Sequence, residues 1–345
     1  MRALIVEEFG TPPEVREVPD PRPHPDAVVL RVEATGLCRS DWHAWAGHDP
    51  GVTLPHVPGH ELVGRVVATG AGVARVRVGD RLITPFVCGC GDCAHCRAGN
   101  AQVCPRQTQP GFTHWGSFAE LVEVRHADFN GIVVDEAAGV HDLVGLGCRF
   151  ATAFRGLHDR ARLQPGELVA VFGCGGVGLS AIMIAAALEA EVIAVDVRRE
   201  ALDLAVAHGA RHTLDSTGLG AGEVARLLRQ RFGAPTVTVE ALGLELTAQA
   251  ALLSLDACGR HVQIGLFADE PRLPVGRIIG QELAVLGSHG MAAADYAPML
   301  ALVEQGRLRP SALVTRELGL DEAGAALASM ATAPHPGVTV IRPAG

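Results

Sequence analysis

Two kinds of apolar pattern divide the chain. Up to about residue 124 the apolar positions come in short alternating runs, such as Leu4 and Val6, Val15 beside Glu17, and Val28, Leu30 and Val32. A period of two predicts short antiparallel strands. Pro19, Pro21, Pro23 and Pro25 forbid a helix within PDPRPHPD, which is either a stiff connector or a docking segment. ELVGRVVATGAGVARVRVGDRLI, ending at Ile83, and residues 111–124 continue in the same style, as expected of a small barrel-like β domain. A helix is predicted over 151–163. From Gln164 the pattern changes to continuous apolar strands separated by helices: strands over 168–172, one ending at Asp196, and further strands over 236–240, 261–267 and 283–288, with a helix over 245–257 among the connections. That alternation predicts an α/β fold with a parallel sheet wound on both sides. Helices over 294–305 and 321–330 and a strand over 338–342 close the chain.

With 345 residues the chain is long enough for two domains. Hydrophobic content of 48%, charged content of 19% and 41 glycines describe a globular protein rich in tight turns. The net charge is −9 and no basic run appears, which argues against nucleic acid and anionic membrane as partners. Residues 168–188 are uncharged, but Gly173, Gly175, Gly176 and Gly178 break them into a strand and a helix, each too short to span a bilayer. Glu7 and Glu8 interrupt the N-terminal apolar run, so a secretory leader is not expected and the protein reads as cytoplasmic. Nine cysteines in that compartment point to metal rather than disulfides.

Residues 36–61 supply Cys38, Ser40, Asp41 and His43, then His60 and Glu61. A catalytic zinc takes three protein ligands and keeps a fourth position open, and thiolate with imidazole suits it. Cys38 and His60 furnish two ligands, and Cys148, in a Gly-flanked turn, is the candidate third. Read singly, Cys38 is as well explained as a small buried hydrophobe and His60 as a packed histidine. Cys90, Cys93, Cys96 and Cys104 form C-x2-C-x2-C-x7-C in a Gly-rich lobe with almost nothing apolar to bury. A closed four-thiolate zinc is the reading, with an iron–sulfur cluster as the alternative, and His95 within the array is expected to face solvent. Cys88, Cys174 and Cys258 remain as structural thiols.

Gly173, Gly175 and Gly178 form G-x-G-x-x-G between the predicted strand and helix, enclosing Gly176 and Val177, with Asp196 18 residues beyond Gly178. In that setting the motif is a dinucleotide fingerprint, because glycines let the backbone approach a pyrophosphate at a helix N-terminus. Asp196 is expected to accept from the adenosine ribose hydroxyls and to repel a 2′-phosphate, favouring NAD over NADP.

CRSDWH, then GHE, then GC followed by FATAF resembles the catalytic-zinc signature of the zinc-dependent medium-chain alcohol dehydrogenases, and the resemblance extends over nearly the whole chain. It implies a GroES-like β-barrel catalytic domain over 1–150 with a structural zinc lobe at 88–105, an NAD-binding Rossmann domain over 151–288, and a return to the catalytic domain over 289–345. It implies two zincs per subunit, one catalytic and one structural, and reversible oxidation of a primary or secondary alcohol to an aldehyde or ketone by hydride transfer to NAD. A homo-oligomer is implied, a tetramer ahead of a dimer. Ile264, Gly265 and Leu266 are expected beside the nicotinamide and Ser288 at the far side of the cofactor. Ser40 is the expected first proton relay and His43 its outlet, Asp41 orients His60, and Glu61 approaches the metal transiently. Phe86 matches a pocket wall, Trp42 and Trp45 are expected to narrow the cleft, and Trp115 either lines a pocket or packs.

Some positions depart from the family pattern. Ala201 stands where NAD-using relatives carry Lys, with Arg198 and Arg199 nearby. Gly337-Val338 stands where a Gly-Arg pair contacts the pyrophosphate, so either Arg342 substitutes or that contact is absent. Polyol enzymes place Glu at the position of Cys148, which leaves a polyol or amino-alcohol dehydrogenase as the nearest alternative. A zinc-free quinone-reductase-like or non-catalytic structural member would lack the cysteine lobe and the Cys38 and His60 pair.

Overall fold

The computed structural model describes residues 1–332 and 335–343. They form two compact units, the first from residues 1–151, 290–300, 310–332 and 335–343, the second from residues 152–289 and 301–309.

In the first unit the alternating runs become strands. Arg2–Ile5 pairs antiparallel with Glu14–Glu17. A seven-stranded sheet runs in the order Val314–Gly319, Val338–Arg342, Val28–Gly36, Glu61–Thr69, Arg81–Ile83 and Ile132–Val133, with Leu121–Val124 also paired to Val28–Gly36. Val28–Gly36 is the central element, and most of its residues are buried on both faces, so the period of two fades there. Two register shifts against Glu61–Thr69 bend this pair. One face packs Val28, Leu30, Val32, Leu62, Val66 and Leu82 into a core.

The second unit holds six parallel strands in the order His212–Asp215, Glu191–Asp196, Leu168–Phe172, Val237–Glu240, Arg260–Gln263 and Ala284–Gly287. Chain order therefore reverses at the first strand, Leu168–Phe172. Strands covered on both faces must be apolar throughout, which explains the continuous runs. Helix Gly176–Ala187 is apolar all round for the same reason. Among the described residues no helix is long and apolar enough to cross a membrane.

Three details differ from the sequence reading. The strand expected over 261–267 ends at Gln263, because the amides of Ile264 and Gly265 both donate to the Glu240 carbonyl and close a turn. The helix expected over 151–163 is α-helical at Arg149–Phe154 and then widens into a π-turn at Arg155–Arg160, where the Ala161 amide reaches back to Gly156. Residues 301–309, expected with the returning segment, group with the second unit, where Arg307 donates to the Ala187 carbonyl and pairs with Glu189.

Candidate active site

Cys38 caps the short helix Arg39–Trp45. Its amide donates to Asp41 Oδ2 at 2.9 Å, while Asp41 Oδ1 accepts from the Gly59 amide at 3.0 Å and faces His60 Nδ1 at 2.9 Å. One fully buried carboxylate thus fixes the backbone of one candidate ligand and the ring of another. Gly59 is required for this approach. Its φ is +105°, and a Cβ there would lie 2.6 Å from the Phe118 amide nitrogen. With Nδ1 held by Asp41, His60 presents Nε2 inward, and that atom is buried with no hydrogen-bond partner among the described residues.

Cys148 follows the 3-10 turn Val144–Gly147 and precedes helix Arg149–Phe154. The ligand atoms of Cys38, His60 and Cys148 all lie within 4.8 Å of one another, and all three residues are buried. Two sulfurs and an orphaned imidazole nitrogen at this spacing fit a tetrahedral zinc with one position left over. Cys148 and His60 both lower the Cys38 thiol well below its ordinary pKa against the opposing effect of burial, Cys148 being the larger influence. Burial pushes the His60 imidazolium down, but the Asp41 charge and hydrogen bond outweigh it and the net shift is upward. The same hydrogen bond to Cys38, together with burial, pushes the Cys148 thiol well above its ordinary pKa, so without a metal the pair favours one ionised sulfur, at Cys38, and a bound cation is what would ionise both.

Phe86 and Val87 pack against the two cysteines, and the ring centroids of Phe86 and Phe112 stand 5.9 Å and 5.2 Å from His60. Phe112 carried no signal in the sequence. Ser40 Oγ lies 3.8 Å from Cys38 Sγ, and His43 sits one turn further along the same helix. Trp45 does not narrow any cleft: it belongs to the core with Leu4, Phe118 and Leu327, and its indole N–H donates to the Thr11 carbonyl. Trp42 lies partly against that core with the Arg39 guanidinium 4.2 Å above its ring. Trp115 is 37% exposed and donates to the Pro55 carbonyl.

Glu61 is not a free carboxylate. The Arg149 amide and Nε both donate to it, at 2.7–2.9 Å, and a guanidinium NH2 completes the ion pair. Burial pushes the Glu61 carboxyl up against the offsetting guanidinium charge, whereas at Arg149 the Glu61 charge outweighs burial and the cation is retained. The pair is fully enclosed, so removing one member leaves the other charge stranded. Arg149→Met is expected to destabilise the protein by about 3–5 kcal/mol, read by thermal melting. A melting temperature equal to that of the wild type would remove the pair from the account.

In the cysteine lobe, Cys93 caps helix Ala94–Arg97 and its sulfur accepts from the Cys96 amide. The amides of Cys90 and Arg106 point at Cys104 Sγ, at 3.4 and 3.3 Å. All four sulfurs lie within 4.8 Å of one another. The Cys96 amide is the first cause that draws the Cys93 thiol down to about 6. His95 is exposed. The lobe's packed cluster consists of cysteines and the two alanines Ala101 and Ala292, which supports the reading that a metal must organise it. Of the other three cysteines, Cys88 and Cys174 are buried, but Cys258 is exposed in a left-handed turn and packs no core.

In the second unit Gly173 ends the first strand at φ +91° and Gly175 caps helix Gly176–Ala187. A Cβ on Gly178 would fall 1.7 Å from the Gly173 carbonyl oxygen, whereas nothing lies within 4 Å of one on Gly175. The turn is tight on its protein side and open at its middle glycine, as a pyrophosphate cradle must be. Val177 lies in the helix's first turn. Asp196 accepts from the Cys174, Val197 and Arg198 amides at 2.7–2.9 Å, with Arg198 Nε at 3.6 Å. The carboxylate therefore holds the glycine turn in place, and only part of its accepting capacity remains for a ribose. Arg199 pairs with Asp203. Buried Glu240 accepts from the Leu242 and Gly243 amides, Thr247 and Gln263, and so shapes the turn at Ile264 and Gly265, where Leu266 is 71% exposed. The Ser288 hydroxyl donates to the Thr152 carbonyl. Val338 is buried in its strand, while Arg342 is half-buried at the strand's end.

A parallel sheet whose chain order reverses at a glycine turn is the architecture of dinucleotide-binding enzymes. Residues 24–134 match the family model of the alcohol dehydrogenase GroES-like domain, and residues 176–305 that of the zinc-binding dehydrogenases. The chain is 31% identical over 338 residues to an NAD-dependent alcohol dehydrogenase of Sulfurisphaera tokodaii, covering 95% of each. It is also 31% identical to a sorbitol dehydrogenase of Halalkalibacterium halodurans, covering 93% of this chain and 94% of that one. Among solved structures, an alcohol dehydrogenase from Thermus sp. ATN1 superposes with a TM-score of 0.91 at 30% identity over 99% of both chains. The chain belongs to the zinc-dependent medium-chain alcohol dehydrogenase family.

Proposed function

We propose that this protein is an NAD-dependent zinc alcohol dehydrogenase that reversibly oxidises a primary or secondary alcohol to an aldehyde or ketone. The observation that carries the reading is the convergence of Cys38, His60 and Cys148 around the unpartnered Nε2 of His60. When bound, zinc supplies Lewis acidity toward the alcohol oxygen and NAD supplies the hydride acceptor. Cys38, His60 and Cys148 would hold the catalytic zinc; Cys90, Cys93, Cys96 and Cys104 would hold the structural one. Gly173, Gly175, Gly176, Val177 and Gly178 would seat the pyrophosphate, and Asp196 would keep that turn in place while accepting from one ribose hydroxyl. The Asp196 charge supports NAD over NADP. Ile264, Gly265 and Leu266 would line the nicotinamide through backbone and apolar contacts, and Ser288 would brace the neighbouring backbone.

Asp41 orients His60 and anchors Cys38. Ser40 takes the proton that leaves the alcohol, and His43, one turn on, carries it outward. Glu61, gripped by Arg149, sets the electrostatic background of the ligands rather than approaching the metal. Ser40→Ala is expected to keep two zincs per chain yet lower turnover about 100-fold, measured by elemental analysis beside steady-state kinetics. Unchanged turnover would take Ser40 out of the relay.

Phe86 and Phe112 against the site support small apolar or aromatic alcohols. The likeness to a sorbitol dehydrogenase keeps a polyol as the second reading, against which the thiol of Cys148 counts. A cytoplasmic homo-oligomer, tetramer ahead of dimer, accords with nine unpaired cysteines and with the family resemblance. The deciding experiment is a panel of alcohols, polyols and carbonyls assayed with NAD and NADP by absorbance of the reduced form. No reduced cofactor with any alcohol from a protein holding two zincs would overturn the reading.

A further inference from the structure

The helix Arg39–Trp45 ends in a reversal that brings a second histidine back onto it. Ala46 and Gly47 donate to the carbonyls of Trp42 and Ala44, and the His48 amide donates to the His43 carbonyl at 2.9 Å. Gly47, at φ +78°, permits the turn. The result is a close imidazole pair, with His43 Nδ1 and His48 Nδ1 3.0 Å apart, ring centroids at 5.3 Å, and Trp42 standing edge-on to both. Among the described residues no carboxylate bonds to either ring. Two ring nitrogens at this distance share one hydrogen: one ring donates, and the other must offer its lone pair. His43 is half-buried and His48 exposed.

We propose that His48 is the outer member of a two-imidazole proton relay whose inner member is His43. This rests on the reading above, in which a proton leaves the alcohol by way of Ser40. A proton arriving at Nε2 of His43 makes that ring cationic. Its Nδ1–H bond then breaks as an Nδ1–H bond forms on His48, and the Nε2–H of His48 gives its proton to water. One proton has entered and one has left, and both rings are neutral again with the hydrogen bond reversed. Restoring the starting tautomers takes both rings: the half-buried His43 and the exposed His48 each give one N–H proton to water and take one from water at the other ring nitrogen. In the reduction direction the steps run backwards. The groups facing His43 suit this handover: burial, Arg39 one turn earlier and His48 itself hold its pKa below the ordinary histidine value, against a smaller upward pull from Cys38. The inner ring is a poor resting place for charge, so it passes the proton on.

The test uses the zinc-loaded full chain with histidine ring carbons labelled at Cε1, as wild type, His48→Phe and His48→Gln. Titrated by NMR over roughly pH 5 to 9, wild-type His43 is expected to titrate in two steps, as a ring coupled to a neighbour does, while His43 in His48→Phe titrates in one. With alcohol and NAD near neutral pH, both variants are expected to keep two zincs per chain but to lose about tenfold in kcat, with a larger solvent deuterium isotope effect and recovery on added imidazole. A wild-type His43 that titrates in one step, unchanged in His48→Phe, would overturn the pair. Coupled titration with wild-type kcat and isotope effect in both variants would overturn the relay. A wild type inactive toward every alcohol would sink the functional reading and the relay together, while the NMR titration would still decide the pair on its own.

Discussion

Cys38→Ala is expected to leave one zinc per chain instead of two and to lower alcohol turnover by at least about 1,000-fold. The size follows from the several kcal/mol that a Lewis-acidic metal contributes to charge stabilisation, since about 4 kcal/mol corresponds to three decades in rate. The fold itself should survive. The bond from residue 38 to Asp41 is made by the backbone amide, so alanine keeps the helix cap and the Asp41 to His60 contact. Elemental analysis and steady-state rates on the same preparation check both halves. A variant with two zincs and wild-type turnover would mean that the sulfur of Cys38 is not a ligand.

Cys104→Ala is expected to act on stability. Two backbone amides converge on the Cys104 sulfur, and the cluster around it contains little except cysteines and small alanines. A lobe with so little to bury has no second means of holding its shape once the fourth thiolate is gone. We expect one zinc lost, a stability loss of about 4 kcal/mol, and a melting temperature lower by about 10 °C. Amide exchange should rise over residues 88–105, while Cys38, His60 and Cys148 keep their metal. A variant still holding two zincs would refute the four-thiolate assignment.

Much of this architecture could be read from local pattern. The glycine turn between the strand Leu168–Phe172 and helix Gly176–Ala187 stands where the spacing placed it, because both elements arise from short-range periodicity and the turn needs residues without Cβ. Arg149 shows the limit. It directly follows a candidate ligand, yet a charged residue is ordinarily exposed, and nothing nearby in sequence announces a carboxylate 88 positions away. Phe112 went unnoticed for a similar reason, since an aromatic in a turn packs as often as it lines a site. Trp45 misled in the opposite direction: it stands two residues beyond His43, but its side of the helix faces the core. His48 carried no motif at all, and its partnership with His43 depends on one left-handed glycine.

The amino-acid order alone determined which chemistry was available: thiols and an imidazole of the kind zinc takes, four cysteines at metal spacing, glycines between a strand and a helix, and the alternation that builds each sheet. These are short-range properties, set by side-chain type and by separations of a few residues. The tertiary structure decided which of those groups meet. It set Cys148 beside Cys38 and His60, locked Glu61 to Arg149, committed most of Asp196 to the glycine turn, and folded His48 back onto His43. Contacts between distant residues depend on how whole strands and helices pack, and packing is a property of the assembled chain rather than of any stretch within it.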